Sequence, residues 1–173
     1  MPQYQQGDER ISDGVNLLIS ILVRYPEVGT IRFDPLSHSL KFTFMFSGIP
    51  SECKIATLQN RLLDSIHTYH LLNGEKANSI VRVHISTYEQ VTILTVIRDV
   101  YTFTKGEIAL LIALLREQLK DRLITDQNEF LLEEDLLVQE ELIENMLENV
   151  KKDYAEHSLI GIREDGRVLV FNK

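Results

Sequence analysis

Apolar residues recur three and four positions apart in four stretches of this chain, and alternate with polar ones in three further pairs of stretches. In "SDGVNLLISILVRYPE", Val15, Leu18, Ile19 and Leu22 mark one face of a helix. Leu17 and Ile21 widen that face until the helix is nearly apolar all round, which predicts deep burial. Ser12 or Asp13 stands where an N-cap belongs, and Pro26 ends the run. "GTIRF" and "SLKFTFMFS" then read as two strands joined by "DPLSHS", a segment of turn formers. Leu40, Phe42, Phe44 and Phe46 alternate with Lys41, Thr43 and Met45, so four large side chains share one face.

Ser51 caps a second helix, with Ile55, Leu58, Leu62, Ile66 and Tyr69 as its stripe and Asn73-Gly74 as its end. "NSIVRVHIS" and "QVTILTVIR" form a second strand pair, in which Val81, Val83 and Ile85 alternate with Arg82 and His84. Leu94 and Val96 break a simple alternation in the other strand, which reads as covered on both sides. Thr104 to Glu107 spell a capping box: the threonine oxygen takes the Glu107 amide, and the glutamate reaches back. Ile108, Leu111, Ile112, Leu115 and Leu119 follow on a third helix. A long fourth helix is predicted from Leu131 to Tyr154, with apolar positions at Leu132, Leu136, Ile143, Met146, Leu147 and Val150. Asp165-Gly166 then signals a tight turn between two short β runs.

The resulting order is helix, strand, strand, repeated once, then two helices, strand, strand. "LLISI" at 17–21 and "LLDSI" at 62–66 fall at matching places in the first two units. Such a match arises easily in a chain rich in leucine and isoleucine, so the order of elements is the better sign of a repeated α-β-β unit. The same order also occurs without a repeat history. The prediction is an α+β fold: an antiparallel-rich sheet of α-β-β units, helices packed on it, and a long acidic helix before a C-terminal β-hairpin. Residues 1–173 read as one domain.

Charge changes this picture more than composition does. The segment 126–156 holds eleven acidic residues against Lys151 and Lys152, a local charge of −9, and the rest of the chain, with fifteen acids and sixteen bases, sums to +1. One helical segment thus carries the whole negative excess. A balanced body argues against a general nucleic-acid binder, so no nucleic-acid partner is expected. No apolar run approaches the roughly 20 residues needed to span a bilayer, and "MPQYQQGDER" reads neither as a signal nor as a transit peptide. Cys53 is the only cysteine, which excludes an intrachain disulfide and suits a reducing, cytoplasmic setting.

Chemical motifs are sparse. A glycine-rich phosphate loop, a GxSxG elbow, HExxH and an EF-hand loop are all missing, and no cofactor is expected. His67 and His70 stand three apart on the second helix and could share a metal ion with Asp64, the basis of an alternative reading as a metal-dependent, hydrolase-like enzyme. Half-buried histidines flanking an apolar stripe are commoner. Cys53 follows a helix cap, which can activate a thiol, yet no base or oxyanion site is evident and a buried structural thiol is the ordinary role. Arg32, Lys41, Arg82, His84 and Arg98 could line the sheet's second face with Thr43 and Thr92, but the aromatics that would stack bases point to the core.

Glu140, Glu144 and Glu148, with Glu141 beside them, form a carboxylate ridge on the fourth helix. The expectation is a non-enzymatic cytoplasmic protein acting through protein–protein contact, with these glutamates as docking surface for a basic protein partner. Leu110, Leu111, Ile112, Leu114 and Leu115 occupy nearly the whole circumference of the third helix, as do Leu136, Leu137, Val138, Leu142 and Ile143 of the fourth. This predicts a homodimer built on them, the alternative being that they complete the core of a monomer.

Overall fold

Phe42, Phe44 and Phe46 point to the same side of a six-stranded sheet, and that side carries the helices. The structure, a computed structural model, describes residues 2–74, 80–125, 133–152 and 158–172, excepting the side chains of 2–12, 133 and 152. The strands are β1 (Thr30–Asp34), β2 (Ser39–Ser47), β3 (Val81–Tyr88), β4 (Val91–Asp99), β5 (Leu159–Glu164) and β6 (Arg167–Asn172). They lie in the order β3-β4-β2-β1-β5-β6, and every neighbouring pair is antiparallel. The first hairpin is therefore central, and the other two extend it on either side.

Local chemistry sets the hairpins. Asp165 and Gly166 both take positive φ, 51° and 76°, the conformation a two-residue turn needs to match strand twist. Between β1 and β2, Asp34 Oδ1 accepts the Leu36 amide at 3.0 Å and Oδ2 accepts the Ser37 hydroxyl at 2.9 Å.

The helices are α1 (Pro2–Arg24), α2 (Glu52–Leu72), α3 (Lys105–Leu119) and α4 (Glu133–Lys152). A single 3₁₀ turn, Lys120–Arg122, follows α3. The α+β class and the acidic helix followed by a β-hairpin are as the sequence predicts. One boundary differs: α1 begins at Pro2, not at Ser12 or Asp13. Proline fits the first helical position, and a serine or aspartate starts a helix only if the chain before it leaves the helical path. The side chain of Ser12 lies outside the described residues, as do Asn78, Ser79, Leu131, Leu132 and Tyr154 and the flanks of the acidic segment at 126–132 and 153–156.

Packing is one-sided. α1 covers β1, β5 and β6, α2 covers β3 and touches α3, and α4 lies on α1 and, more lightly, on α3. Leu17, Leu18, Ile21 and Leu22 of α1 are all buried, as its near-continuous apolar surface requires. α4 inserts Ile143, Leu147 and Val150. The second face of the sheet has no helix over it among the described residues. Met45, Ile93, Thr95 and Ile97 stand there half-exposed, so β4 is covered on one side and not on both. No helix among the described residues is long and apolar enough to cross a membrane.

Candidate functional site

The densest polar chemistry sits where α2 ends, β4 ends and α3 begins. Arg98 is the last inward-facing residue of β4, and its side chain is fully buried. Its Nε and Nη2 donate to the two carboxylate oxygens of Glu107 at 2.5 and 2.9 Å. Nη1 donates to the Ile80 carbonyl at 2.7 Å and to Asp99 Oδ1 at 2.8 Å, and Nη2 also reaches Thr102 Oγ1 at 3.1 Å. His70, on the last turn of α2, brings Nε2 to 2.5 Å from both Glu107 Oε1 and Arg98 Nη2. Tyr69 and Thr104 close the edge with hydroxyls 3.0 Å apart. A guanidinium has five N–H donors, and here all five are used inside the protein. None is left to hold a substrate. The network ties three elements together.

Glu107 corrects the capping-box expectation. Thr104 Oγ1 does accept the Glu107 amide, at 3.3 Å, but the Glu107 carboxylate turns inward to Arg98 and His70. A buried guanidinium outcompetes a backbone amide for that carboxylate, because charge-assisted bidentate bonds are the stronger kind. Arg98 and Thr92 likewise face the core and not the open side.

Burial acts to raise the pKa of Asp99. The Thr102 hydroxyl and amide, the charge of Arg98 and the Ile80 amide outweigh it, so the carboxyl titrates below its ordinary 3.8. A carboxyl with a lower pKa folded than unfolded adds stability above the unfolded value and loses it as pH falls through the folded one. Asp99→Asn is therefore expected to be most destabilising at neutral pH. The gap from wild type should close in acid, as read from urea midpoints between pH 7 and about 2. A gap that stays constant with pH would show that Asp99 acts through shape and not charge.

The residues expected to hold a metal are not gathered. His67 and Asp64 are exposed on α2, while His70 turns inward to Glu107. Among the described residues, no group of three or more His, Cys, Asp or Glu side chains converges as metal ligands would. Cys53 is exposed, not buried, since the first turn of α2 lies beyond the edge of the core. It opens on a surface cleft of about 350 Å³ shared with Lys54 and Arg122.

Two broad surfaces remain. On α4, Glu140 bends inward to form a half-buried ion pair with Arg24 at 2.8 Å. Glu144 pairs with Lys105 at 3.5 Å, Glu148 pairs with Lys151 at 3.1 Å, and Glu141 stays exposed. The four expected docking glutamates therefore do not form one uniform ridge. The outermost line of the helix is instead Glu134, Val138, Glu141, Asn145 and Glu148, at successive steps of four and three residues. Val138, on that line, is 54% exposed, and Leu137 and Leu142 beside it are 62% and 36% exposed. α3 offers no comparable surface: Ile108, Leu111, Ile112, Leu115 and Leu119 are buried within the chain.

The second surface is the uncovered sheet face. The strand registers set Arg82, Ile97, Lys41, Arg32, Ile160 and Phe171 side by side in a row from β3 to β6. Arg32 and Lys41 are directly opposed on neighbouring strands, an arrangement that costs stability. Comparison with protein-family models, with curated proteins and with solved structures gave no match.

Proposed function

We propose that this chain is a non-enzymatic protein-interaction module, with the outer face of α4 as the docking surface for a basic partner. The observation that carries the reading is the exposure of Leu137 and Val138 between Glu134 and Glu141. Exposed apolar side chains ringed by same-sign charge suit a partner that supplies both an apolar contact and positive charge. The confinement of the chain's charge excess to this segment adds long-range steering of a basic partner. A two-fold contact of α4 with α4 would set these glutamates against each other, which disfavours the symmetric homodimer. The exposed thiol of a lone cysteine fits a reducing, cytoplasmic setting.

The test is a photo-reactive residue at position 138 of the full chain, with position 71 on α2 as control, since Leu71 is 78% exposed. Discrete cross-linked products are expected at 138 and not at 71, weakened about tenfold by Glu134→Lys with Glu141→Lys. Equal yields at both positions, or products indifferent to charge reversal, would sink the reading.

A further inference from the structure

The open sheet face carries a pattern of charge complementary to that on the outer face of α4. Along α4, Glu134, Val138 and Glu141 read acid, apolar, acid. Across the sheet, Arg82, Ile97 and Lys41 read base, apolar, base. Seven residues of helix place the two acids about 10.5 Å apart. Two strand spacings place the two bases about 9.6 Å apart. Arg32, one strand further on, adds a third positive charge to the row. Among the described residues none of Arg32, Lys41 and Arg82 forms an ion pair, and Lys41 and Arg82 are exposed. The directly opposed Arg32 and Lys41 repel each other, and an anion seated above them removes that cost.

We propose that α4 of one copy seats on the open sheet face of another, Glu134 and Glu141 meeting Lys41 and Arg82 while Val138 packs on Ile97. This rests on the docking role of α4 proposed above and names its partner. The two surfaces lie on opposite sides of the molecule: α4 sits on the helix layer with its buried stripe towards α1, and the sheet face looks the other way. A two-fold pair cannot satisfy both at once. The association is therefore head-to-tail and open-ended, each copy offering one helix and one sheet face.

Light scattering after size-exclusion chromatography tests it on the full chain. The mass is expected to rise with concentration at about 50 mM salt and to fall to the monomer at about 500 mM. Glu134→Gln with Glu141→Gln keeps the basic face and loses the acidic one; Lys41→Gln with Arg82→Gln does the reverse. Each double variant alone is expected to stay monomeric, and an equimolar mixture to form a 1:1 pair that grows no further. A wild type that is monomeric at low salt and high concentration overturns the proposal. So does self-association that either double variant retains. A monomeric wild type that binds a single-stranded oligonucleotide through Lys41 and Arg82 also overturns it, and assigns the face to nucleic acid. If position 138 still cross-links a foreign protein while the wild type is monomeric, only self-association fails and the docking role of α4 stands.

Discussion

Arg98→Met is expected to lower the unfolding free energy by about 3–5 kcal/mol, because it leaves buried carboxylates without their counter-charge. Glu107 is fully buried and accepts two bonds from Arg98, and Asp99 is nearly as buried and accepts another. Domain stability is only about 5–15 kcal/mol, so such a loss consumes a large share of it. The urea midpoint reads the effect, with an unchanged slope if the native state keeps its compactness. Adding Glu107→Leu to Arg98→Met is expected to restore part of the loss, since the second change removes the stranded charge. Strictly additive costs in the two single variants and the double variant would mean that the pair does not act as a unit. A drop under about 1 kcal/mol for Arg98→Met would mean that water reaches the site and compensates it.

Much of this molecule can be read from periodicity. The strand alternation Leu40, Phe42, Phe44, Phe46 identified the buried face of β2, and Asp165-Gly166 located the final turn, because each depends on residues adjacent in sequence. What sequence reading missed depends on partners far apart. Arg98 reads as a surface base, yet it lies on the same face of β4 as Leu94 and Val96, and that parity was the available signal. Its partners His70 and Glu107 come from two other elements, and no local pattern joins them. Glu107 misled for the same reason: the capping box is a local rule, overridden by a distant guanidinium. The ridge on α4 shows the converse limit. Spacing correctly puts Glu140, Glu144 and Glu148 near one another, but only tertiary packing decides that Glu140 is spent on Arg24, 116 residues away. The basic row across the open face requires strand order, which no single strand encodes.

Leu147→Ala is expected to cost about 2–5 kcal/mol, the range for truncating a buried leucine whose cavity cannot fully collapse. Leu147 is 2% exposed and sits on the buried stripe of α4 with Ile143 and Val150. The form of the transition matters as much as its midpoint. α4 meets the sheet almost entirely through α1, so it is the outermost layer on the helix side. If it folds with the rest, circular dichroism and a fluorescent probe on α4 report one coincident transition, in the wild type and in the variant alike. If it is only loosely held, Leu147→Ala releases the helix first and splits the two signals, and hydrogen exchange along α4 becomes faster than in β2 and β4. The single transition is expected, because the Arg24–Glu140 ion pair and three buried apolar side chains fasten α4 to the core together. A helix held in that way presents Glu134, Val138 and Glu141 in fixed register. Rigid presentation spares a docking surface much of the ordering cost of association. Were Leu147→Ala instead to release α4, that register would be lost and any contact made by the opposite, outer face would weaken, although Leu147 itself is buried and cannot touch the partner.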